Sequence, residues 1–307
     1  MTRAVVFAYH DVGCRCLGVL LDRKIEVPLV VTHADDPKEN LWFGSVAALA
    51  RAHGLEVVTP DDPNDPRFVA QVRGLAPDLL FSFYYRSMLG RPLLASARRG
   101  AFNMHGSLLP KYRGRAPVNW AVLYGETRTG ATLHEMVEKP DAGRIVDQEA
   151  VAILPDDLAV EVFGKVTGAA ERVLARSLPG LLDGSAVLRP QDLSQGSYFG
   201  GRKPEDGRID WSLAAKRVHD LVRAVAPPYP GAFTEFEGRR LRVLRTRLLP
   251  RRDAAGVPAF LHAEGARCLA ACADGGVLEL LELELDGEAL SAQEFAHCIG
   301  SRRIAMP

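Results

Sequence analysis

Ala4-Val5-Val6-Phe7-Ala8-Tyr9-His10-Asp11-Val12-Gly13-Cys14-Arg15-Cys16-Leu17-Gly18 opens the chain with an apolar run, Ala4 to Tyr9, that ends at His10 and Asp11. Four more short apolar runs follow, Val27 to His33, Leu55 to Thr59, Leu79 to Tyr85 and Ala101 to His105, each ending at polar or Gly/Pro positions. Between them lie helical patterns such as Ser45 to His53, stopped by Gly54, and Pro66 to Leu75. Strands alternating with helices predict an α/β fold, a Rossmann-like parallel sheet with helices on both faces and ligands at the carboxyl ends of the strands. His10, Arg86, Asn103 and His105 all fall at such ends. A dinucleotide-binding sheet needs a G-x-G-x-x-G turn after its first strand, and here only the isolated Gly13 and Gly18 occur, which argues against a nicotinamide dehydrogenase.

A long helix is expected from about Asp157 to Leu182, with Asp156 or Asp157 as N-cap and Gly184 just past its end. Gln195 to Arg208 is rich in Gly, Ser, Lys and Pro and reads as a connector, dividing the chain into residues 1–200 and 201–307. Beyond it, Ile209-Asp210-Trp211-Ser212 opens an amphipathic helix to Val225. Strand-like segments follow at Ala232 to Phe236, Leu241 to Leu249, Arg267 to Cys272 and Val277 to Leu285, then a short helix from Ser291 to Ile299. Short strands with Gly turns predict a small barrel.

The 307 residues suffice for one large domain and one smaller one. Lys+Arg and Asp+Glu are both 38, so no general basic field exists to hold nucleic acid or an anionic membrane. The N-terminus resembles neither a signal peptide nor a membrane span, and a cytoplasmic protein is expected. Cys14, Cys16, Cys268, Cys272 and Cys298 show no paired C-x-x-C spacing; free thiols and no metal site are the reading. His10, His33, His53, His134, His219, His262 and His297 have no metal-ligand spacing and read as incidental, with only His10 near the expected cleft.

The chemistry is carried by Phe102-Asn103-Met104-His105-Gly106-Ser107-Leu108-Leu109-Pro110-Lys111-Tyr112-Arg113-Gly114-Arg115-Ala116-Pro117. Residues two apart at a strand end point the same way, so Asn103 and His105 converge on one reacting atom. A second strand-like run ends in Val137-Glu138-Lys139-Pro140-Asp141-Ala142-Gly143, which adds a carboxylate. Amide, imidazole and carboxylate together suit acyl transfer to an amine: Asn103 donates to the oxyanion, while His105 and Asp141 manage protons. Either His105 or Asp141 serves as base on this reading. Arg113 and Arg115 flank Gly114 in a loop suited to an anion such as a pyrophosphate, with a solvated loop as the alternative. Tyr84, Tyr85 and Arg86 form a candidate wall for an aromatic base, with buried strand aromatics as the alternative for the tyrosines.

The set Asn103-x-His105, Ser107-Leu108-Leu109-Pro110 and Asp141-Ala142-Gly143 resembles the formyltransferases that use 10-formyltetrahydrofolate. The likeness spans essentially the whole chain, including Val5 to Asp11, Phe81 to Arg86, Arg223-Ala224-Val225 and Pro230-Gly231-Ala232-Phe233. It extends to the formyltransferase domains of the bifunctional polymyxin-resistance enzymes, which formylate UDP-4-amino-4-deoxy-L-arabinose. The resemblance implies Asn103, His105 and Asp141 as catalytic residues and an OB-like C-terminal domain over 201–307. It also implies a pteridine ring near Ser87, Met88, Leu89 and the loop Val137, Glu138, Lys139, Pro140 and Asp141, with Arg115 contacting the cosubstrate or orienting the site. Contacts to the amino-sugar substrate are expected from His10, Tyr85, Arg86 and Arg113.

Three acceptor classes share this core: nucleotide amino sugars, glycinamide ribonucleotide and methionyl initiator tRNA. After the second strand, where the tRNA enzymes resembled here carry a basic loop, the chain has Ala34-Asp35-Asp36-Pro37-Lys38-Glu39-Asn40, with three acids and one base. Such a loop repels a phosphate backbone. The glycinamide enzymes usually lack so large a C-terminal domain, and the related hydrolases usually carry an N-terminal regulatory domain where this chain begins at its first strand. A non-catalytic folate-binding protein would be expected to have lost one of Asn103, His105 or Asp141. The expected acceptor is therefore UDP-4-amino-4-deoxy-L-arabinose, linking the chain to lipid A modification and polymyxin resistance, with another nucleotide amino sugar or methionyl-tRNA as alternatives. Because the bifunctional enzymes continue into a decarboxylase domain, the chain is expected either to stand alone beside a partner enzyme of that pathway or to be a fragment.

Overall fold

The computed structural model describes residues 2–36, 39–253 and 255–306, and divides them into two compact units. The first comprises residues up to 117, 128–151 and 163–200; the second comprises 118–127, 152–162 and 201 onward.

The first unit is built on β1 (Arg3–Ala8), β2 (Glu26–Val31), β3 (Val57–Val58), β4 (Leu79–Phe83), β5 (Ala101–His105), β7 (Arg128–Glu135) and β8 (Ile145–Ala152), with β6 (Arg113–Gly114) and β9 (Tyr198–Phe199) forming a separate parallel pair. Its sheet has the order β3-β2-β1-β4-β5-β7-β8. The first five strands are parallel. β1 from Ala4 and β4 apart from Ser82 are buried apolar runs because both faces are covered, as central parallel strands require. The chain adds β2 and β3 on one side of β1 and β4 and β5 on the other, so the strand order reverses between β1 and β4, where sheets of this kind open a ligand crevice.

Helices α1 (His10–Asp22), α2 (Val46–Ala52), α3 (Pro66–Gly74) and α4 (Arg91–Leu94) link these strands. The Ser45 hydroxyl caps α2 by accepting from Ala48 N–H, and Asp65 caps α3, whose first residue is Pro66.

The sheet departs from the all-parallel expectation at β7, which runs antiparallel to β5 after helix α5 (Pro117–Leu123). That reversal sets the register Asn103 opposite His134 and His105 opposite Thr132. Helix α6 (Ala159–Asp183) is the expected long helix, and Gly184 ends it in the left-handed region at φ 84°. Leu158 N–H donates to Glu161, and the Asp157 carboxylate turns back to Leu154 N–H.

In the second unit, β10 (Ala232–Phe236), β11 (Arg239–Arg252), β12 (Phe260–Glu264), β13 (Arg267–Ala271), β14 (Gly276–Leu285) and β16 (Ile304–Ala305) form an antiparallel sheet ordered β10-β11-β14-β13-β12-β16, with β15 (Glu288–Ser291) on β14. The expected small barrel is a curled antiparallel half-barrel: register shifts bend β11 against β14, and β10 and β16 remain edges among the described residues. Several arginines of β11 pair with acids, Arg242 with Glu284 and Arg247 with Glu279 on β14 and Arg251 with Glu264 on β12, so part of this basic run is neutralised locally.

The helix expected from Ile209 starts later, as α7 (Ala215–Val225). The Asp210 carboxylate accepts from both Ser212 N–H and Oγ–H, which folds 209–212 into a turn instead. Trp211 is buried, with Nε1 donating to Thr234. Within α7, Arg223 and Asp220 form a buried ion pair at 2.8 Å, completed by Lys216 on the carboxylate and by Arg223 donating to Asp157 O. Arg223→Ala is expected to destabilise the fold by about 3–5 kcal/mol, because it leaves Asp220 buried beside one half-exposed cation. Urea unfolding of the variant checks this, and a loss under about 1 kcal/mol would refute it. Helix α8 (Ala292–Ile299) closes the unit behind a Ser291/Glu294 capping box.

All five cysteines are free, and Cys16, Cys268 and Cys272 are buried as small apolar groups. Among the described residues, no three His, Cys, Asp or Glu side chains cluster as a metal site, and no helix is long and apolar enough to cross a membrane.

Candidate active site

Asn103 and His105 lie at the carboxyl end of β5, and the turn after β7 brings Asp141 to them. The His105 Nε2 lies 2.8 Å from Tyr112 O. A carbonyl only accepts, so Nε2 carries the proton and Nδ1 is the nitrogen left for proton exchange. That Nδ1 faces Asp141 Oδ1 at 3.6 Å. The other carboxylate oxygen accepts from Gly114 N–H at 2.8 Å.

His134 completes the cluster, correcting its reading as incidental. Its Nδ1 donates to Glu135 O at 2.8 Å, which leaves Nε2 to accept from Asn103 Nδ2 at 3.1 Å. The same Nε2 lies 3.5 Å from Asp141 Oδ1. Asn103 is thereby held with its NH₂ toward His134, and one N–H of that group remains to donate elsewhere. The antiparallel register of β7 on β5 is the signal that finds His134, since it makes the residue the direct cross-strand neighbour of Asn103.

Burial alone would push the Asp141 carboxyl upward. The facing imidazoles of His105 and His134 and the Gly114 N–H outweigh it and hold the group well below the ordinary carboxylate range. Asp141 is therefore an anion throughout the physiological range and a weak base.

The loop between Asn103 and Asp141 is fixed by groups that sequence reading did not single out. Thr132 donates to Ser107 O and accepts from Leu109 N–H, and Gln148 donates to Leu109 O and Thr132 Oγ1. The Tyr112 and Arg113 N–H groups donate to Ser197 Oγ and Ser197 O. Gly114 sits at φ 95°, where a Cβ would stand 2.1 Å from Phe199 O, so only glycine brings its N–H to Asp141. At Gly106 a Cβ would meet the Tyr84 hydroxyl at 1.8 Å, so a larger residue there would displace the end of that side chain.

The expected cosubstrate residues separate by burial. Met88 is exposed, Ser87 partly so, and Leu89 is a core residue in the same apolar cluster as Tyr85, against which Met136 packs. Asn64 clamps this loop, donating to Met88 O and accepting from Gly90 N–H. Val137, Glu138 and Lys139 are exposed and Pro140 partly so. Met88 and Val137 thus leave uncovered apolar surface on two loops anchored to one cluster, which fits a flat ring. Arg115 is exposed, its N–H on Phe199 O. Arg113 is 8% exposed, and its Nε is buried without a hydrogen-bond partner among the described residues.

The remaining substrate candidates are engaged with their own neighbours. The His10 ring stacks on Phe43 and meets Trp42 and Phe163 edge-on, and burial pushes its pKa down to about 4. Tyr85 stacks on His33, whose Nε2 accepts from Arg86 N–H. The Arg86 guanidinium lies over Tyr9 and pairs with both Glu39 oxygens. Within the acidic loop, Glu39 is therefore committed to Arg86 and Asp35 accepts from the Tyr9 hydroxyl, while Pro37 and Lys38 lie outside the described residues. Asn119 and Trp120 belong to α5; Asn119 donates to Ala224 O and Trp120 lies under Arg202.

A neutral amide donor, a proton-exchanging imidazole and a fixed carboxylate at the carboxyl edge of such a sheet define an α/β enzyme of group transfer. The sequence assigns the class further. The chain belongs to the formyl transferase family: residues 15–178 match the formyl transferase model and residues 202–299 the model of the formyl transferase C-terminal domain. Solved structures share the fold. An N-formyltransferase from Helicobacter canadensis, crystallised with folinic acid and dTDP-3-aminofucose, is 17% identical with a TM-score of 0.73, over 91% of this chain and 99% of that one. The sugar 3N-formyl transferase WlaRD, crystallised in the presence of dTDP and 5-N-formyl-THF, is 17% identical with a TM-score of 0.72, over 91% and 97%. A sugar N-formyltransferase from Shewanella sp FDAARGOS_354 is 18% identical with a TM-score of 0.63, over 79% and 96%. At these identities the likeness is one of fold.

Proposed function

We propose that the protein transfers the formyl group of 10-formyltetrahydrofolate to the 4-amine of UDP-4-amino-4-deoxy-L-arabinose. The observation that carries this reading is the convergence of Asn103, His105 and Asp141 with His134 at one strand end. The cosubstrate supplies an activated formyl carbon, and the residues 1–200 supply everything that moves a proton. Asn103 donates its remaining N–H to the formyl oxygen as that atom gains charge. The amine loses its proton to His105 Nδ1, because Asp141 is too weak a base to take it, and the ionised Asp141 then faces the imidazolium. The same proton is available to N10 of the departing tetrahydrofolate.

The exposed Met88 and Val137 support a pteridine resting near Ser87–Leu89 and Val137–Asp141, with Arg115 at its edge. The buried Arg113, whose Nε lacks a hydrogen-bond partner among the described residues, supports a contact to a substrate anion, since a buried polar N–H left unpaired is costly. Because two fold relatives were crystallised with dTDP or a dTDP-sugar, a different nucleotide amino sugar is the second reading. The arabinose acceptor places the reaction in lipid A modification and polymyxin resistance, in the cytoplasm beside a decarboxylase domain or partner enzyme.

Mass spectrometry after incubation with 10-formyltetrahydrofolate and parallel acceptors tests this. Formylated UDP-4-amino-4-deoxy-L-arabinose is expected. Product only with another amino sugar would change the acceptor, product only with methionyl initiator tRNA would refute the amino-sugar reading, and no product at all would revive a non-catalytic folate-binding role.

A further inference from the structure

The segment after α6 runs back along both halves of the site and leads into the stretch expected to be a connector, Gln195 to Arg208. Arg189 exchanges backbone hydrogen bonds with Ile145, and Ser197 and Phe199 hold the Tyr112–Arg115 strand. Between them, the Gln191 Nε2 donates to Asp141 O at 3.1 Å and to Gly143 O at 2.5 Å. Both acceptors are carbonyls, so the amide can only present its NH₂ to this turn, and both of its protons are spent there.

The turn needs such a clamp. Asp141 lies at φ 52°, a left-handed conformation that costs a non-glycine residue about 1–3 kcal/mol unless its surroundings over-determine it. Gly143 is pressed so closely on Glu135 O that a Cβ would stand 1.9 Å from it. Gln191 touches the main chain of Asp141 and not its carboxylate, so its effect is on where the carboxylate points.

We propose that Gln191 is the positioning residue of Asp141, holding the turn so that the carboxylate faces His105, His134 and Gly114 N–H together. This rests on the assignment of Asp141 to the reaction.

The test compares Gln191→Met, which keeps the length but cannot donate, with Gln191→Lys, which retains a donor, and with Asp141→Asn in the same formyl-transfer assay. Gln191→Met is expected to lose about 10²-fold in kcat, as misplacement of a reacting group by about 1 Å does, with both KM values within about threefold and the protein still folded, its melting temperature lower by a few degrees as the strained turn loses its clamp. Gln191→Lys is expected to keep at least about a third of the wild-type rate, because donation to the two carbonyls is what matters. A wild-type rate in Gln191→Met, a rise in KM in place of the fall in kcat, or a Gln191→Lys rate as low as that of Gln191→Met would each overturn the proposal. If Gln191→Met fails to fold, the Gln191→Lys rate decides alone. A normal rate in Asp141→Asn would instead overturn the reading of the site itself.

Discussion

Asp141→Asn is expected to lower the rate of formyl transfer by about 10³–10⁴-fold in a folded protein, the scale seen when a buried carboxylate that orients a catalytic histidine becomes an amide. The substitution conserves shape, so the loss comes from charge and donor pattern. One carboxylate oxygen accepts from Gly114 N–H and the other faces His105 Nδ1 and His134 Nε2. The amide keeps its oxygen on the Gly114 N–H, but its NH₂ then donates to the ring nitrogens and ties up the His105 Nδ1 lone pair that has to take the amine's proton. It also removes the anion that stabilises the imidazolium formed when His105 accepts the amine's proton. Steady-state kcat and KM for both substrates check the prediction, and a loss smaller than tenfold would remove Asp141 from the reaction.

The same substitution carries a signed dependence of stability on pH. The folded carboxyl titrates below its unfolded value of about 3.9, so its ionisation contributes stability that is fully present above about pH 4 and is lost as pH falls through the folded-state value. Wild type should therefore exceed Asp141→Asn in unfolding free energy at pH 7, with the gap shrinking below about pH 4. A gap that widened on acidification would contradict the assigned direction.

Asn103→Ala is the second large effect, an expected fall in kcat of about 10²–10³-fold with KM nearly unchanged. The argument turns on which way the amide points. His134 Nδ1 is committed to Glu135 O, so Nε2 is an acceptor and fixes the Asn103 NH₂ beside it. One N–H is then preorganised for developing negative charge, and alanine removes it without disturbing β5. Asn103→Asp should be at least as poor, because it sets a negative group against the oxyanion. An alanine variant with a raised KM and normal kcat would show that Asn103 binds substrate and does not serve the transition state.

Much of the site was legible because it is local. Asn103 and His105 share one strand and one face, and an apolar run ending in polar residues declares a strand end without reference to the rest of the chain. The strands β1, β2, β4 and β5 were legible for the same reason, each being a mostly buried and largely apolar run. His134 was not, since its importance comes from antiparallel pairing with a strand 31 residues away, and nothing in its own neighbourhood signals that partner. The delayed start of α7 was missed because the Asp210 side chain competes locally with the helix.

By itself, then, the sequence determined the strand and helix periods, the residue types of an acyl-transfer site and the resemblance to a formyltransferase, all of which are written in contiguous or fixed-offset residues. Only the tertiary structure decided that β7 runs antiparallel, that His134 and not Asp141 orients the Asn103 amide, and that Arg86 is spent on Glu39. It also decided that the segment after α6 carries the Gln191 clamp. These are contacts between residues tens of positions apart. Their energies depend on distance and direction in space, so chain spacing alone does not encode them.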